Sequence, residues 1–152
     1  MLLSLMGVVA FAQNDLVAPP ATAQVETWYT TDGKFMLNTP TGVQDFTTVM
    51  SSVNVAIDGT DIYIQGLSYF FKDGWIKGTI SGSTASFPDG QLIGEDDYGP
   101  EYICGTDDVK TLVENIVFNY DAAEGKLESA SASDLPKRAS TSSMAVRSWL
   151  SK

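Results

Sequence analysis

The stretch WIKGTISGSTASFPDGQLIG, Trp75 to Gly94, contains Gly78, Gly82, Gly90 and Gly94. It reads either as a loop that cradles a phosphate or as paired β-strands. A phosphate loop requires GxxxxGK[ST] or GxGxxG between a strand and a helix. Neither pattern occurs, and no helical periodicity follows. With Gly82-Ser83 as a two-residue loop, Ile80 faces Ala85 and Gly78 faces Phe87, and Ile76 shares their face. A glycine opposite a phenylalanine leaves room for the ring. The glycines make turns and spaces, and the stretch reads as a hairpin.

The preceding segment, SVNVAIDGTDIYIQGL (52–67), repeats this logic. Val53, Val55 and Ile57 alternate with Asn54, Ala56 and Asp58, the period of a half-buried strand. A Gly59-Thr60 loop sets Asp58 opposite Asp61, Ile57 opposite Ile62 and Val55 opposite Ile64, so one face holds every apolar partner. Further strands are expected in VETWYTT (25–31), KFMLN (34–38), QLIG (91–94), YICG (102–105), NIVFNY (115–120) and KLESA (126–130). In the last pair a 122–125 loop places Leu127 opposite Tyr120. DDVKTLVEN (107–115) is ambiguous, because Val109, Leu112 and Val113 have helical spacing. The sum is an all-β chain: an antiparallel meander of eight or nine strands, as an up-and-down (lipocalin-like) barrel or a two-sheet sandwich. Periodicity does not choose between them.

Outside this β-domain, taken as 25–131, the composition changes. MLLSLMGVVAFA (1–12) carries no charge and ends in Ala10-Phe11-Ala12, which reads as a signal peptide. It is shorter than the ~20 apolar residues needed to cross a bilayer, and no transmembrane segment is expected. Residues 13–24 read as an extended, proline-containing leader. Residues 132–152 form a polar, basic tail in which Ala145, Val146, Trp149 and Leu150 fit one side of a short helix. All 19 acids and five of the nine bases lie in residues 13–136, against a net charge of −10 for the chain. Such a body repels polyphosphate, so nucleic acid is not an expected partner.

The segments DLVAPPATAQVETWYTTDG, IYIQGLSYFFKDGWIKGTISGSTASFPDGQLIG and IVFNYDAAEGKL resemble a group of secreted, β-rich repeat proteins of gut Bacteroidetes. The resemblance covers roughly residues 14–130 and fades near Leu135. It implies export from a Gram-negative bacterium (to the periplasm, cell surface or medium) and modules that occur in series. It brings no catalytic residue.

The chain has no histidine, which removes the usual Ser-His-Asp and Cys-His nucleophile arrangements and most zinc sites. Its single cysteine, Cys104, allows no intramolecular disulfide and is expected in the core. Three functional readings remain. Glu95, Asp96, Asp97 and Glu101 crowd one loop and could supply a carboxylate pair for a glycan hydrolase. Asp58, Asp61, Glu95, Asp96 and Asp97, with Asp107 and Asp108, sit in oxygen-rich turns, and calcium is a candidate cofactor if two such turns meet. Tyr69, Phe70, Phe71 and Trp75 cluster between two strands, where they either plug an end of the fold or present a binding surface for a glycan or a surface protein. The preferred expectation is a non-enzymatic exported binding module; the alternatives are the hydrolase and a structural spacer repeat.

Overall fold

The computed structural model describes residues 15–30, 34–39, 42–45, 52–97, 99–106, 112–129, 144–147 and 150–151. Among the described residues fifteen strands run in chain order: β1 Val25–Thr30, β2 Lys34–Thr39, β3 Gly42–Asp45, β4 Ser52–Asp58, β5 Asp61–Gln65, β6 Trp75–Ser81, β7 Thr84–Pro88, β8 Gln91–Asp96, β9 Gly99–Ile103, β10 Gly105–Thr106, β11 Leu112–Val113, β12 Asn115–Asp121, β13 Lys126–Ser129, β14 Met144–Arg147 and β15 Leu150–Ser151. Among the described residues there is no helix, so none is long and apolar enough to cross a membrane. The signal-peptide segment lies outside the described residues, as do Asp107 and Asp108.

Seven strands make one curled antiparallel sheet, in the order β13, β12, β7, β6, β5, β4, β1. The two-residue β15 pairs with both outer strands, Leu150 opposite Leu127 and Ser151 opposite Tyr29, and closes the order into a barrel. The hairpins are those the apolar alternation requires. Asp58 pairs with Asp61, Ile57 with Ile62 and Val55 with Ile64. Ile80 pairs with Ala85, and Tyr120 with Leu127. Gly59 and Gly82, first in their loops, have φ of 62° and 59°, a region that glycine enters without a Cβ clash.

The meander has two excursions. The Asp32-Gly33 turn signal does not make β1 and β2 partners: β1 pairs with β4, and β2 pairs with β3 and β14. Likewise β7 pairs with β12 across the hairpin of β8 and β9 and the short pair β10 and β11. Turn chemistry fixes where the chain reverses, whereas burial decides which strands meet. The Trp28 side chain enters the same core as Val53 and Val55. The tail also departs from expectation, since Met144–Arg147 and Leu150–Ser151 are strands, not parts of a short helix. A helix that short is marginal alone, whereas pairing with β2, β1 and β13 satisfies main-chain groups.

Inward side chains fill the curled sheet. Trp28, Ile62, Ile64, Ile76, Phe87, Phe118 and Leu127 belong to one cluster, each at most 2% exposed. Phe87 and Phe118 meet edge to face at 5.9 Å. This matches an eight-stranded ring, whose interior is about wide enough for side chains to fill. Gly78 is buried opposite Phe87, and a Cβ there would lie 2.6 Å from Phe87 Cδ1. The space seen in the sequence is occupied by the ring. On the other face Ala56 and Tyr63 are buried as a cross-strand pair, with the Lys77 ammonium 5.6 Å above the Tyr63 ring.

Candidate functional site

The connection from β5 to β6, residues 66–74, is built around Ser68. Its hydroxyl is buried and accepts hydrogen bonds from the backbone N–H groups of Phe70 (3.1 Å) and Phe71 (3.4 Å). The Gly74 N–H then donates to the Phe71 carbonyl at 3.1 Å, closing a turn. This turn divides the aromatics predicted as a cluster. Phe71 points in against the core and lies over Gly94, where a Cβ would stand 2.0 Å from its Cδ1. Tyr69 and Phe70 point outward, 46% and 55% exposed, with rings edge to face at 5.3 Å. The Lys72 ammonium sits 5.1 Å above the Tyr69 ring. Trp75 is half-buried at the start of β6. Of the four, Phe71 is an anchor, Trp75 is a wall, and Tyr69 and Phe70 are the exposed pair.

Beside this loop runs an open groove of about 560 Å³, lined by Leu16, Val17, Phe70, Phe71, Trp75 and Glu95 among others. Leu16 is 64% exposed. The leader reaches the groove because Val17 forms an antiparallel bridge with Trp75.

The acidic loop sits at the far end of the β8–β9 hairpin. Glu95, Asp96 and Asp97 are exposed, whereas Glu101 is half-buried opposite Gly94. Strand alternation puts Asp96 on the Glu101 face and Glu95 on the other. One Glu101 oxygen, Oε1, is buried without a hydrogen-bond partner. Burial raises the Glu101 carboxyl above its ordinary value, a hydrogen bond with Ser68 pulls it down, and the negative charge of Asp96 pushes it up again. These carboxyls are neighbours along one hairpin, whereas glycoside hydrolysis needs two facing each other across a bound sugar.

The calcium reading has no assembled ligand set. Asp58 and Asp61 face each other at the β4–β5 turn, and Asp61 is ion-paired to Lys77 at 2.6 Å. Among the described residues no three Asp, Glu or Cys side chains come close enough to hold an ion. Cys104 is buried, as expected. Burial, with the negative charge of Asp89 second, pushes its thiol up to about 11. That is the opposite of a reactive thiolate.

Two features of the site escaped the sequence reading. One is the leader bridge. The other is Gln91, only 3% exposed, whose amide occupies an edge of β6. Its Oε1 accepts from Lys77 N–H at 2.7 Å, and its Nε2 donates to the carbonyls of Lys77 and Pro88, both at 2.9 Å. A side-chain amide here does the work of a neighbouring strand. A polar residue two positions from the apolar Ile93, hence on the inward side of its strand, is the signal that could have found it. Neither family models, curated proteins nor solved structures give a match to this chain.

Proposed function

We propose that this protein is an exported, non-enzymatic β-module whose contact surface is the Tyr69–Phe70 pair and the groove beside it. The observation that supports this most is the division of labour in residues 68–75. Ser68 and Phe71 fix the loop, and two adjacent rings are held out in solvent. Exposed aromatic surface that is rigidly presented suits stacking on a sugar ring or anchoring a partner protein, at low entropic cost. Lys72, Asp73 and Glu95 around the groove supply polar groups for orientation. The leader and the YIQGLS, WIKGTISG and FPDGQ segments support placement outside the cytoplasm, in a Gram-negative bacterium.

The test is a screen of the full chain on immobilised glycans and surface proteins, followed by titration of any ligand against Tyr69→Ala and Phe70→Ala. Loss of one anchoring ring should weaken binding by roughly tenfold, since anchors are typically worth more than about 1 kcal/mol. Unchanged affinity in both variants, or no ligand from a broad screen, overturns the proposal.

A further inference from the structure

The edge of β6 that faces β7 is completed by three different devices. Thr79 and Ser81 pair with Ser86 and Thr84 of β7. At Lys77 the main chain is paired by the Gln91 side-chain amide. At Trp75 it is met by Val17 of the leader. Alternate residues of a strand present their peptide groups to the same edge, so Trp75, Lys77 and Thr79 form one row. On its opposite side Trp75 is paired with Gln65 of β5. The leader therefore occupies a main-chain docking position that β7 does not reach.

The leader is held there lightly. Val17 makes one isolated bridge, and Leu16 stays 64% exposed over the groove. Between Val17 and β1 lie Pro19 and Pro20, followed by a turn in which the Ala23 N–H donates to the Pro20 carbonyl at 2.9 Å. Two consecutive prolines keep this connection extended and stiff. A segment that is attached through a stiff connection and held by few contacts can make the same contacts on another copy. That exchange forfeits none of its own bonds.

We propose that the start of β6 is a strand-acceptor site and that its second occupant is the leader, residues 15–20, of another copy of this chain. The exchange pairs Val17 of one copy with Trp75 of the next and seats Leu16 beside Phe70. Such pairing links modules through a bridge identical to the one seen within the chain. It goes beyond the binding reading above, because it uses the main chain of Trp75 and not the exposed ring of Tyr69.

The probe is a fluorescently labelled peptide with the sequence of residues 14–24, titrated into the full chain and read by polarisation. Saturable binding is expected, tighter by roughly tenfold in a Val17→Pro chain, whose own leader has lost the bridging N–H and vacates the site. The same peptide carrying Val17→Pro should not bind, and Tyr69→Ala should leave binding unchanged even if it abolishes ligand capture. Light scattering should show the wild-type chain forming dimers or longer species as concentration rises. Failure of the peptide to bind either chain overturns the site, as does equal binding by the proline peptide. A wild-type chain that binds the peptide yet stays monomeric at millimolar concentration overturns the second copy as its occupant.

Discussion

Replacing Gln91 by methionine keeps an unbranched side chain of similar length in the barrel wall but removes its amide. Three main-chain groups then lose their partner: the Lys77 N–H, the Lys77 carbonyl and the Pro88 carbonyl. A buried polar group left unpaired costs ~1–3 kcal/mol. Pro88 is exposed and Lys77 half-exposed, so water can recover part of the loss. The lower end, about 1 kcal/mol for each group, gives a destabilisation of about 3 kcal/mol in total. That is a large share of the ~5–15 kcal/mol that stabilises a typical domain, and corresponds to a fall in Tm of roughly 6–12 °C. Urea denaturation should show a lower midpoint with an unchanged slope, and hydrogen exchange should show lost protection at the Lys77 amide. Gln91→Glu adds a directional check. Its carboxylate can still accept from Lys77 N–H, but the second oxygen faces two carbonyls. Protonation restores one donor. The folded state thus holds this carboxyl above its unfolded value, and the stability present in acid is lost as pH rises through the folded value. A Gln91→Met chain within about 0.5 kcal/mol of wild type, the scatter of ordinary surface substitutions, would refute the strand-mimic role. So would a Gln91→Glu chain whose deficit is the same in acid and at neutrality.

Two other outcomes are expected. Burial raises the Glu101 carboxyl, so its contribution is fully present below the ordinary glutamate range and is lost as pH rises through the folded value. Glu101→Gln should therefore raise Tm at neutral pH and converge with wild type in acid; a variant less stable at neutrality would contradict this. Cys104, at about 11 against an ordinary 9.0, carries roughly a hundredfold less thiolate than an unperturbed thiol near neutrality. A chromogenic disulfide reagent should react with the native chain at least that much more slowly than with the urea-unfolded chain, and equal rates would contradict the buried assignment.

Ser68 joins the fold to the proposed surface. Its hydroxyl ties down Phe70 and Phe71 and also meets Glu101, so the loop and the β8–β9 hairpin share one buried polar centre. A rigid ledge of this kind fixes the backbone from which Tyr69 and Phe70 project outward.

The strands and the registers of their hairpins were legible because both depend on residues close in sequence. Period-two alternation puts Val55 and Ile64 on one face, and a glycine-first loop leaves a single register that keeps them there. Gly78 opposite Phe87 was readable for the same reason. The aromatic cluster was also visible, although its division into anchor and exposed pair was not, since that depends on the Ser68 hydroxyl and on Gly94, far along the chain. Distant pairing belonged to the tertiary structure alone. Only there do β1 and β4 meet across one excursion and β7 and β12 across another, with β15 closing the ring. Gln91 at the edge of β6 and Val17 beside Trp75 are of the same kind. No local pattern announces them, because each fills a main-chain vacancy that exists only once the neighbouring strands have curved away.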